Sequence, residues 1–108
     1  MKKLLLAIAL AAGLSNVAMA DDALKAAIAG AQRTPANVER DGARHPYETL
    51  SFFGIKPNMT VVEFAPGGGW YTEILAPYLR KDGKLIAGAS AKFQQKLDAT
   101  PAMYDKVA

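Results

Sequence analysis

The chain has 108 residues, 51% apolar and 21% charged, which suits one small domain and excludes a charged disordered tail or a low-complexity fibre. It has no cysteine, so a disulfide frame, a thiolate metal site and a thiol nucleophile are excluded, and one histidine argues against a His-rich metal site. Thirteen basic against ten acidic residues give a formal charge of +3, part of which lies in the first twenty residues.

Lys2 and Lys3 precede an apolar run from Leu4 to Leu14, which Ser15 and Asn16 end. Ala18-Met19-Ala20 then presents the small-x-small pattern that signal peptidase reads. The run is shorter than the roughly 18–20 apolar residues a membrane-spanning helix needs. Residues 1–20 are therefore expected to be a signal peptide, cleaved after Ala20, and the mature protein to be exported to a periplasm with no membrane span. Without Lys2 and Lys3 the chain keeps 11 basic and 10 acidic residues. Those charges are scattered along the sequence, which predicts a solvated surface and no nucleic-acid partner.

After Asp21 and Asp22, the repeat Leu24, Ile28, Ala31 predicts a short Ala-rich amphipathic helix or a partly frayed N-terminal arm. Thr34-Pro35 reads as an N-cap and first helical position, with a second short helix running to about Arg40 and a turn at Asp41-Gly42. Pro46 opens a helix over 47–53, with Leu50 and Phe53 on one face and Gly54 as its left-handed stop. Pro57-Asn58 reads as the centre of a type II turn.

Thr60-Val61-Val62-Glu63-Phe64 predicts a buried strand, broken by Pro66 and the glycines 67–69. From Trp70 the period changes: Tyr71, Ile74, Leu75, Tyr78 and Leu79 share one face of a helix, and Pro77 predicts a kink or a tightened last turn. Asp82-Gly83 ends it, and Lys84 to Gly88 predicts a second strand. Ser90 caps a helix through Phe93 and Leu97, and Thr100-Pro101 starts one more. Strand, Gly-rich turn, helix and strand make a βαβ unit with parallel strands, which puts the glycines at the carboxyl end of the first strand, where α/β folds bind ligands.

Bare glycine backbone admits a ligand closely, and the helix behind it offers free N–H groups and a partial positive charge. The stretch Glu63-Phe64-Ala65-Pro66-Gly67-Gly68-Gly69-Trp70-Tyr71-Thr72 lacks the Lys of a nucleoside-triphosphate loop. It has Thr72 where the dinucleotide fingerprint needs its third glycine. What remains is an acid at 63 followed by small residues at 65, 67 and 69. This pattern resembles the first motif of class I S-adenosylmethionine (SAM)-dependent methyltransferases. Arg44-His45-Pro46, Glu48-Thr49-Leu50, Phe53-Gly54-Ile55-Lys56-Pro57 and the run from Val61 to Leu79 together resemble a group of exported bacterial proteins predicted to be methyltransferases.

The resemblance implies a Rossmann-like α/β fold, present here as N-terminal helices (21–57) and one β-α-β unit of the SAM-binding domain (58–108). It also implies an N-terminal part lacking the half that binds the methyl acceptor. Glu63, Ala65, Gly67 and Gly69 are the implied cofactor-binding residues, Glu63 facing the methionine amino group of SAM and the glycines letting the cofactor reach the main chain. At the end of the second strand, Ala89-Ser90 stands where many members carry a ribose-binding acid; Ser90 offers a neutral hydrogen bond instead.

The residues also admit plainer roles. Trp70 and Tyr71 read as packing residues, Thr72 as a local backbone partner, Arg44 and His45 as structural or solvated, and Lys92, Lys96 and Asp98 as a solvated helix face. Two further functional readings stay open: an exported, non-catalytic binding protein using the same turn for another small molecule, and an interaction module whose N-terminal helices pair with a partner.

Overall fold

The computed structural model describes residues 20–108. The expected leader lies outside the described residues except for Ala20. Residues 20–28 are helical (α1) and bury Leu24 and Ala27. Ala27, rather than the expected Ala31, completes the buried stripe, because the helix ends before Gly30 and leaves Ala31 exposed. Three short helices follow: α2 (Pro35–Val38), α3 (Asp41–Arg44) and α4 (Pro46–Phe52). Asp41-Gly42 is thus a helical turn rather than a break, stopped at His45 in the left-handed region (φ 49°). Leu50 of α4 is buried, but Phe53 is 65% exposed, since the helix ends one residue before it. Gly54 provides the expected left-handed stop (φ 70°).

The turn at Pro57-Asn58 forms, with the Met59 N–H donating to the Lys56 carbonyl at 3.1 Å. It is not type II: that form needs a positive φ at Asn58, and among the described non-glycine residues only His45 and Ala65 have one.

The core unit is β1 (Thr60–Phe64), α5 (Trp70–Leu79) and β2 (Lys84–Gly88), the two strands pairing in parallel with Thr60 beside Lys84 and Phe64 beside Gly88. The described residues thus form a mixed α/β structure with a two-stranded parallel sheet. Then come α6 (Ala91–Asp98), capped by the Ser90 hydroxyl, which accepts from the Phe93 N–H, and α7 (Pro101–Tyr104). Beyond α7, the Ala108 N–H donates to the Leu85 carbonyl (3.0 Å) and the Ala108 carbonyl accepts from the Ala87 N–H (2.7 Å). Ala108 therefore lies beside β2 on the edge away from β1, in parallel sense.

Helix α5 is the centre of the core. Ile74, Leu75, Ala76, Tyr78 and Leu79 are buried with Leu24, Leu50 and Leu85. Pro77 deprives the Glu73 carbonyl, one turn back, of its intrahelical donor. The helix nevertheless continues to Leu79, because the Gln32 side-chain amide donates to that carbonyl at 3.0 Å. The expected buried strand β1 is covered on one face only. Glu63 points under α5, while Val62 and Phe64 on the other face are 57% and 88% exposed. Among the described residues no helix is long and apolar enough to cross a membrane.

The α5–β2 connection crosses the Pro57–Met59 turn at Gly83. A Cβ there would lie 2.5 Å from the main-chain oxygens of both Pro57 and Met59, neither of which can rotate away. Gly83→Ala is accordingly expected to destabilise the fold by about 1–3 kcal/mol, seen as a lower urea midpoint with an unchanged m-value.

Candidate functional site

The end of β1 and the start of α5 form a bend built from unusual backbone. Ala65 has φ 49°, Gly67 has φ 59° and Gly69 has φ 86°. Glycine adopts the left-handed region freely, whereas for alanine it costs roughly 1–2 kcal/mol. Ala65 is held there by its N–H, which donates to the Gly88 carbonyl at the end of β2 (3.3 Å). The Gly69 N–H closes the bend onto the Pro66 carbonyl at 2.9 Å, and Gly69 caps α5.

The four implied cofactor-binding residues, Glu63, Ala65, Gly67 and Gly69, are brought together here, but in different surroundings. Nothing lies within 4 Å of the position a Cβ would take on Gly67 or Gly68, so that side of the bend is open. At Gly69 the same position is 3.4 Å from the Phe93 ring and 3.8 Å from Lys96 Nζ. Gly69 thus serves the packing of α6 as well as the turn. Two donors converge on the Gly68 carbonyl: Lys96 Nζ at 2.8 Å and Asn37 Nδ2 at 3.3 Å. Lys96 is exposed, as expected of a solvated face, and it also ties α6 to the bend, because the Gly68 carbonyl lies within reach of its long side chain.

Glu63 is buried, and its Oε1 accepts from the Thr72 hydroxyl. Thr72 is therefore a partner of the acid itself rather than of local backbone, since the β1–α5 bend folds the first helical turn over the strand end. Burial raises the Glu63 carboxyl above its ordinary 4.5, and the Thr72 bond opposes this more weakly. Near the end of β2, the Ser90 hydroxyl oxygen is engaged as the cap of α6 at 3.3 Å from the Phe93 nitrogen.

A second polar cluster, unmarked in the sequence, fixes the entrance to α5. Arg33 is buried and makes a bidentate pair with Asp41 at 2.8 and 3.0 Å. Its Nε stands 3.6 Å from Glu73 Oε2, a charge contact too long for a hydrogen bond. The same Glu73 oxygen accepts the Thr34 N–H at 3.2 Å. The Trp70 indole N–H is shared between the Asn37 carbonyl (3.1 Å) and Asp41 Oδ1 (2.9 Å). Hydrogen bonding from Arg33 is the main cause that holds the Asp41 carboxyl below its usual value, despite partial burial. The Arg44 guanidinium lies 4.1 Å from the Trp70 ring centre and 5.1 Å from that of Tyr71, a cation–π arrangement that occupies it. Trp70 and Arg44 are thus structural, as the sequence suggests. Glu73 left no signal either: it falls on the side of α5 opposite Tyr71, Ile74, Leu75, Tyr78 and Leu79, and contacts from residues 32–34 are what bury it.

A groove of about 840 Å³, lined by Ala23, Ala27, Pro57, Pro77 and Tyr78 among others, lies at the other end of α5 from the bend. Among the described residues no group of three or more His, Asp or Glu side chains could hold a metal ion. Comparison with protein-family models, with curated proteins and with solved structures yields no match.

The raised pKa of Glu63 makes a signed prediction. The folded chain holds this proton to higher pH than the unfolded chain does, so the unfolded state binds fewer protons and stability falls as pH rises. The contribution is complete below 4.5 and is lost as pH climbs through the folded value. Glu63→Gln keeps an acceptor for Thr72 and removes the titration. Its urea midpoint, relative to the parent chain, should rise between pH 4.5 and neutrality; a constant difference would show that Glu63 ionises normally.

Proposed function

We propose that these residues are the cofactor-binding part of a SAM-dependent methyltransferase whose methyl acceptor is unassigned. The observation that carries the proposal is the buried Glu63 carboxylate at the end of a parallel strand, beside a bend whose left-handed positions fall at 65, 67 and 69. Backbone strain of the kind at Ala65 concentrates where a ligand is clamped. Ala108 lies beyond β2 on the edge away from β1, so the spatial order runs β1, β2, Ala108, as in the 3-2-1 half of a doubly wound sheet.

The fit to SAM is good at one end of the molecule. The carboxylate of Glu63 suits the amino group of the methionine moiety, and the open Gly67-Gly68 main chain admits its approach. At the ribose end only Ser90 is available, with its oxygen already accepting a hydrogen bond. When bound, SAM supplies an electrophilic sulfonium methyl. This chain's residues would orient the amino-acid end and shield Glu63 from water, while methyl transfer also requires in-line placement of an acceptor.

A second reading has its own support. Phe52 and Phe53, stacked edge to face with ring centres 5.8 Å apart, are 87% and 65% exposed at the end of α4. Exposed paired aromatics suit an interaction module in which the glycines are architectural.

Calorimetric titration of the chain with SAM separates the two. Saturable binding is expected, with loss of at least about tenfold in affinity in Glu63→Ala, as for removal of a buried charged hydrogen-bond partner. Absence of SAM binding by the parent chain, or an unaltered affinity in Glu63→Ala, would sink the proposal.

A further inference from the structure

At the end of α5 remote from the glycine bend, the fold gathers cations that the sequence scatters. Arg80 and Lys81 follow α5, Lys84 opens β2 and Lys106 follows α7. These four residues border one cleft of about 280 Å³, together with Leu79, Leu85 and Met103, and Lys81 also borders the larger groove. Among the described residues no acidic one lines it. Arg80 is committed: its Nη1 donates to Asp105 Oδ1 at 2.7 Å and to the Met103 carbonyl at 3.3 Å. Lys81, Lys84 and Lys106 form no ion pair among the described residues. Residues 21–108 carry 11 basic and 10 acidic side chains, so three uncompensated lysines around one cleft concentrate more positive charge than that whole segment has in net.

The partial negative charge of the α5 carbonyl end amounts to about half a charge, too little to balance three ammonium groups. Mutual repulsion of like charges there is relieved by an anion, and a concave site focuses the field that draws one in. Lysine ammonium groups suit phosphate as point charges able to rotate their donors onto several oxygens. The volume falls just below the range of about 300–1,000 Å³ usual for ligand cavities, so the occupant is compact.

We propose that this cleft binds a small phosphate-bearing anion, of the inorganic diphosphate or compact phosphorylated-metabolite class, through Lys81, Lys84 and Lys106. The site is separate from the Glu63 bend and does not rest on the methyltransferase reading. The probe is inorganic pyrophosphate, titrated calorimetrically into the full chain at constant ionic strength, with a glycerol phosphate arm to distinguish a phosphomonoester from a diphosphate. Saturable binding is expected. Lys84→Gln and Lys106→Gln should each weaken it about tenfold, while Lys92→Gln, an equal charge change on exposed α6 outside the cleft, should change it less than about twofold. Because all three lysines are exposed, the variants should keep the parent's thermal midpoint without ligand. The proposal is overturned by unsaturable binding, by equal losses in all three variants, which would mean a general charge effect, or by unchanged affinity in the two cleft variants.

Discussion

Three consecutive residues of the N-terminal segment close on one residue of the central helix, and the arrangement of the domain follows from that. Gln32 donates to the Glu73 main-chain carbonyl, the Arg33 guanidinium sits against its carboxylate, and the Thr34 N–H donates to the same carboxylate. Arg33 is almost wholly buried, and an unpaired cation there would cost far more than a pair contributes. Asp41 supplies that pair through two hydrogen bonds, and Glu73 adds a charge contact at Nε. Satisfying it brings α2 and α3 to the start of α5, and with them the Asn37 and Asp41 groups that hold the Trp70 indole. The glycine bend is thereby fixed from one side by Asn37 and from the other by Lys96, both on the Gly68 carbonyl.

Elements whose signals are local were legible in the sequence. Strand β1, helix α5, strand β2 and the Ser90-capped α6 announce themselves through β-branched runs, a 3.6-residue period and cap residues, and they form where those signals put them. Short-range signals fail where tertiary contacts decide. Asn58 tolerates a positive φ, but the turn does not ask for one. Phe53 repeats in phase with Leu50, yet it falls past the helix end and finds no cover. The apolar character of Val62 and Phe64 suggests burial on both faces, whereas only the Glu63 face meets α5.

The candidate site was half legible. An acid, a bend and small residues at two-residue spacing are visible in one stretch, and the fold assembles them. What the stretch hides is that its glycines do different jobs. Gly67 and Gly68 face open space, and Gly69 receives the Phe93 ring from a helix more than twenty residues later. Likewise Thr72 reads as a helix-start residue, but its hydroxyl meets the carboxylate of Glu63. Such pairings depend on the crossing of β1 and α5, which no local pattern encodes. The lysines at 81, 84 and 106 show the same effect at larger separation, becoming neighbours only once β2 and the segment after α7 are in place.

The bridge from Gln32 to the carbonyl released by Pro77 has a bearing on how this chain can vary. Residues 29–34 look like an ordinary connector, the sort of surface loop where extra residues are usually absorbed at little cost. Here the connector is in register with α5, and adding or deleting one residue before Gln32 would shift three consecutive partners off Glu73 together. That stretch should therefore be as intolerant of length change as a core helix, although it carries no regular secondary structure of its own.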